Sequence, residues 1–61
     1  GAMHDVEADE VCLVTAGHAT VRFHDEDRTA ELRPGSLLAL RAGMRTTWVV
    51  HETLRKVYIT G

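Results

Sequence analysis

The segment ATVRFH alternates without interruption. Ala19, Val21 and Phe23 fall on one face of an extended chain, and Thr20, Arg22 and His24 on the other. RTAEL keeps the period of two, with Ala30 and Leu32 opposite Thr29 and Glu31. The apolar spacing elsewhere follows the same period and not the 3.6 residues of an amphipathic helix. EVCLVT, SLLAL, TTWVV and LRKVYIT are rich in β-branched and aromatic residues and read as further strands. Turn signals separate them: Ala16-Gly17, the acidic tip Asp25 to Asp27, Pro34-Gly35, Ala42-Gly43, and His51 to Thr53. Pro34-Gly35 suits a type II turn, because proline fixes φ at the second position and glycine accepts a positive φ at the third. The pattern predicts six antiparallel strands at the roughly 8–10-residue spacing of a sandwich or barrel. The acidic start, HDVEADEV, is the best case for a helix; it is short and reads as a strand or an arm.

Several strands are apolar on both faces. Val11 to Val14, Leu37 to Leu40 and Trp48 to Val50 are unbroken apolar runs. A single sheet with one wet face does not need this, so two sheets enclosing a core, or a sheet face meeting a second chain, is expected. On the last strand, Val57 and Ile59 form the obvious core pair and would turn Lys56 and Tyr58 outward. A polar interior would instead draw Lys56 and Tyr58 in beside Glu10. Parity alone leaves both arrangements open.

Size sharpens the expectation of a partner. At 61 residues the chain is one domain. Such a domain buries only about 60% of its unfolded surface, and small folds usually need a disulfide, a metal or a second chain. Cys12 is the sole cysteine, which excludes an internal disulfide and fits a reducing, cytoplasmic setting. A homodimer or higher homo-oligomer is therefore expected. The net charge of −2 argues against nucleic acid as a partner. No run is long enough for a membrane helix and no signal-peptide pattern is present. Gly1-Ala2-Met3 reads as a cleavage scar and start, leaving residues 4–61 as the domain.

Two stretches carry a family resemblance. Glu10 followed after six residues by Gly17, in EVCLVTAG, resembles the second half of the first cupin motif. RPGSLLALRAG resembles the start of the second. With the Thr46-Thr47-Trp48 strand and the closing Arg55-Lys56-Val57-Tyr58 strand, the order resembles the cupin-3 subfamily, the ureidoglycine-aminohydrolase-like small cupins, over about residues 6–60. The resemblance implies an all-β, jelly-roll barrel. It also implies that one or two N-terminal strands are lacking, so that dimerisation, with an exchanged N-terminal arm, completes the barrel. A metal cupin supplies His-x-His and Glu from the first motif and His from the second. Those positions fall here on His4, Val6, Glu10 and Thr46. Ser36 and Arg41 also replace the Asp and Pro usual in the family.

What remains for a divalent metal is His4 and Glu10, with Cys12 beside Glu10 on the same strand face. Three ligands and an open position would be wanted for catalysis. The metal is therefore not favoured, no cofactor is assigned, and Cys12 reads rather as a small buried hydrophobe. His18, His24 and His51 are expected to be separate, solvated side chains. Nucleophilic catalysis and phosphate-loop binding find no supporting motif. The expected site is a pocket lined by Glu10, Cys12, Thr46, Trp48, Lys56 and Tyr58, binding a small polar molecule without chemistry. A metal-dependent enzyme acting on a ureide-type substrate, as the resemblance implies, and a self-assembling scaffold are the alternatives.

Overall fold

The computed structural model describes the backbone of residues 2–60 and the side chains of residues 2–59. Five strands form one antiparallel sheet: β1 (Ala2–Val6), β2 (Glu10–Phe23), β3 (Arg28–Leu32), β4 (Leu37–Leu40) and β5 (Arg45–Thr60). Two long strands, β2 and β5, form its centre. They pair with each other from Val11↔Thr60 to Phe23↔Thr46. On the far edge of β2, its first half pairs with β4 (Glu10↔Leu40 to Leu13↔Leu37) and its second half with β3 (Ala19↔Leu32 to Phe23↔Arg28). On the far edge of β5, Arg45 to Val49 pair with β1. Among the described residues no helix is long and apolar enough to cross a membrane.

The strand count differs from the expected six for a local reason. EVCLVT and ATVRF run on as β2, and TTWVV and LRKVYIT run on as β5. The expected turns at Ala16-Gly17 and His51 to Thr53 are instead register shifts within continuous pairing, between Val14 and Ala19. A glycine at positive φ lets a strand absorb an extra residue and bend without ending its ladder. Gly17 sits at φ 92°, and a Cβ there would lie 2.1 Å from the Thr53 carbonyl oxygen, so no larger residue fits. The two sequence turns became the corners of two bent strands. The N-terminal segment then adds β1. It includes Ala2 and Met3, paired with Val49 and Trp48, although both read as scar in the sequence; Gly1 lies outside the described residues.

The other turn signals hold. At Arg33 to Ser36 the Ser36 N–H donates to the Arg33 carbonyl at 2.9 Å, with Gly35 at φ 94°, as a type II turn requires. At Arg41 to Met44 the Met44 N–H reaches the Arg41 carbonyl at 3.2 Å. The acidic tip closes the β2–β3 hairpin, with Asp27 at φ 48°.

The sheet coils, and its inner face carries the core. Cys12, Val14, Ala19, Val21, Phe23, Leu32, Leu38, Leu40 and Trp48 are all buried there, with Ala30, Met44, Val50 and Leu54 packed against them. The coil is visible in one distance. At about 3.3 Å per residue, Trp48 and Lys56 would stand ~26 Å apart on a straight strand. The Lys56 ammonium instead lies 4.3 Å from the centre of the Trp48 ring, which long side chains reach only if β5 curls. The outer face keeps an apolar row. Leu37, Leu13 and Val57 are register partners on β4, β2 and β5, and Leu37 and Val57 are well exposed, as is Ile59. Val57 and Ile59 are thus not the core pair that composition favours. The pairings Cys12↔Tyr58 and Val14↔Lys56 put Tyr58 and Lys56 on the core side instead.

Candidate functional site on the inner face

The Ala42-Gly43 turn positions the first element of the site. Glu7 follows β1, and its N–H donates to the Met44 carbonyl at 2.8 Å. Its own carbonyl accepts the Gly43 N–H at 2.9 Å. The Asp9 carboxylate fastens the same turn by accepting the Ala42 N–H at 2.7 Å. So held, the Glu7 side chain turns inward, where it is only 8% exposed. One carboxylate oxygen, Oε2, accepts the Thr46 hydroxyl at 2.5 Å and the Trp48 indole N–H at 3.0 Å. The indole N–H also lies 3.1 Å from Thr46 Oγ1. A buried carboxylate is tolerable only with such donors. Among the described residues no buried side-chain polar atom lacks a partner.

Thr46 therefore faces inward, as its place in the cupin motif implies, but its hydroxyl is committed to Glu7. Trp48 also faces inward and forms a wall. Glu7 itself was missed by the sequence reading, which took Glu10 from the motif spacing. Parity could not find Glu7 because it lies between strands. The usable signal was a pair of inward donors, Thr46 and Trp48, that would need an acceptor.

Lys56 and Glu10 are half-buried at the mouth of this face, and Tyr58 is exposed beside them. The Lys56 ammonium lies 4.3 Å from the Trp48 ring centre and 5.4 Å from that of Tyr58. It enters none of the ion pairs among the described residues. Beneath it Cys12 is fully buried. Burial pushes the Cys12 thiol above its ordinary pKa; the Lys56 charge opposes this, and Glu10 and Glu7 add to it. Cys12 is thus a protonated floor residue at neutral pH. A cation resting on two aromatic rings can donate to a carboxylate or carbonyl oxygen, and Glu10, whose charge acts on the same Cys12, can accept from an amide.

The structure does not bring His4 and Glu10 together. His4 points to the outer face, where its Nδ1 lies 2.8 Å from Thr47 Oγ1. His24 Nε2 lies 2.6 Å from the same hydroxyl, and the two imidazoles flank an open groove of about 320 Å3 with Asp5 and Arg45. Val6, at the second histidine position of the motif, is exposed. None of the four histidines reaches the inner face, so the donors there do not fit the metal centre of a metal cupin. The outer histidines, by contrast, are not the separate side chains expected. His18 and His51 stack with ring centres 4.6 Å apart, and Glu31 from β3 reaches His18 at 2.9 Å.

Two observations bear on ancestry: a coiled antiparallel sheet, and the turn–strand–turn–strand frame from Arg33 to Val50. Residues 1–58 match the model of the EutQ-like cupin domains. No curated protein and no solved structure matches the chain. The family match covers nearly the whole chain and agrees with the motif order, and on that ground the chain belongs to the cupin superfamily, among the EutQ-like cupin domains.

Proposed function

We propose that this cupin domain binds a small polar molecule at the mouth of its inner face and performs no chemistry on it. The observation that carries the reading is the Lys56 ammonium, laid on the Trp48 ring at 4.3 Å with no carboxylate paired to it. Lys56 would take a carboxylate or carbonyl oxygen, Glu10 an N–H, and Tyr58 and Trp48 would cover the apolar part. Cys12 and Thr46 support the site from beneath. The absence of imidazole from this face favours binding over metal catalysis. The alternative, an enzyme acting on a ureide-type substrate, rests on the motif resemblance alone.

Thermal melting against a panel of short-chain carboxylates, amides and ureido acids tests the reading, since a ligand that binds only the folded state must raise Tm. At least one compound should raise it in the wild type and fail to do so in Lys56→Met. A panel without effect would leave the domain as a scaffold. Turnover of a ureido acid that depends on added metal and on Glu10 would replace binding with catalysis.

Self-association belongs to the same proposal. A second copy is the partner best matched to the apolar row Leu37–Leu13–Val57, because that row crosses three paired strands and lies on the face away from the core.

A further inference from the structure

The outer face of the sheet holds a cluster unrelated to the inner site. His18 lies on β2, Glu31 on β3 and His51 on β5, so three neighbouring strands each contribute one side chain. The pairings Thr20↔Glu31 and Thr20↔Val49 make Thr20 the centre of the group, with His18 two residues along the same strand and His51 diagonal to it on β5. Glu31 Oε1 lies 2.9 Å from His18 Nε2, and Glu31 Oε2 accepts the Thr20 hydroxyl at 2.7 Å. Thr20 Oγ1 in turn lies 2.8 Å from His51 Nε2. One donor atom from each of His18, His51 and Glu31 falls within 4.8 Å of the other two.

These distances have a consequence for cations. Zinc binds imidazole nitrogen and carboxylate oxygen at about 2.0–2.2 Å, which puts tetrahedral ligand atoms ~3.4 Å apart. Closing the cluster to that spacing takes a shift of about 1 Å in side chains that are already oriented. The strands beneath them are fixed by the sheet ladder, so the ligands rest on rigid elements. Two imidazoles and a carboxylate are a donor set suited to zinc and its neighbours, and unsuited to calcium or magnesium, which want oxygen.

We propose that His18, His51 and Glu31 form a divalent transition-metal site, of the zinc class, on the outer face, with water completing the shell. The ion would tie β3, β2 and β5 together, at the same level of the sheet where β2 and β5 slip in register. It would supply the kind of staple that a domain of this size, with one cysteine, otherwise lacks. The site is independent of the ligand reading on the inner face.

Isothermal titration of the metal-stripped protein with zinc chloride tests it, with Tm measured in parallel. The expected result is one ion per chain and a raised Tm. His18→Ala, His51→Ala and Glu31→Gln should each weaken binding at least tenfold, with far-UV circular dichroism unchanged. His4→Gln and Lys56→Met should bind as the wild type does. Cobalt(II) should give visible bands in the wild type that vanish in His51→Ala. Absence of binding at 100 µM zinc, or affinity unchanged in both histidine variants, would overturn the proposal. Half an ion per chain, lost with the same residues, would place the metal between two copies and overturn the single-chain site.

Discussion

Glu7 shows how one buried side chain can serve as a structural anchor of the inner face. Its carboxylate ties the N-terminal arm to β5 through Thr46 and Trp48. Glu7→Ala leaves the buried Thr46 hydroxyl without an acceptor and should cost about 2 kcal/mol in urea unfolding; Glu7→Gln keeps an acceptor oxygen and should cost about half that. Equal losses would mean that the acceptor oxygen is irrelevant. Cys12 gives a pH prediction. Its folded pKa is raised by burial, whereas the unfolded thiol ionises near ~8.5. Its contribution is therefore intact below the unfolded value and is lost as pH rises towards the folded one. Tm should fall more steeply above about pH 8.5 in the wild type than in Cys12→Ala, and parallel curves would contradict this. Parity puts Thr46 and Trp48 on one face, and the cupin resemblance, by setting Thr46 at a metal-ligand position, makes that face the inner one. The direction of Glu7 was not legible, because backbone hydrogen bonds to a turn distant in sequence set it.

At the scale of elements, period two and the Pro34-Gly35, Ala42-Gly43 and Asp25–Asp27 signals identify strands and turns correctly. What they do not distinguish is a hairpin from a bulge. Ala16-Gly17 looks like a turn, yet β2 passes through it, because β5 bends beside it and keeps the ladder in step. The same slip brings His18 and His51 together, and for that reason their convergence was invisible in a list of separate strands. Gly17→Ala combines a strained φ with a collision against the Thr53 carbonyl and should cost more than about 3 kcal/mol. Gly35→Ala meets nothing within 4 Å and should cost about 1 kcal/mol, from the φ penalty alone. Denaturant titration of the two variants separates backbone strain from the close approach; equal losses would remove the close approach from the account.

The whole molecule is a single coiled sheet, 26 × 25 × 16 Å, with its core on one side. Its outer face carries Leu37 at 64% and Val57 at 50% exposure around Leu13, and β5 beyond Val49 has no described strand on its outer edge. Apolar rows and open edges of this kind favour pairing with another chain. Light scattering at micromolar concentration should give a dimer or larger, and Leu37→Asp with Val57→Lys should return it towards a monomer of 6.8 kDa. A wild-type monomer would remove self-association from the account. The unbroken apolar runs made this face legible in outline. Which residues of the last strand faced inward was not legible, because Val57 and Ile59 are the more apolar pair and only the pairing of Val14 with Lys56 turns them out. That register underlies the functional proposal. Since Trp48 is the sole tryptophan, its fluorescence reports on the Lys56 site directly. Titration with the short-chain carboxylate that raises Tm most should give a saturable change in wild-type emission and none in Lys56→Met. An equal, saturable response in both proteins would contradict the assignment of Lys56 as the ligand-holding group.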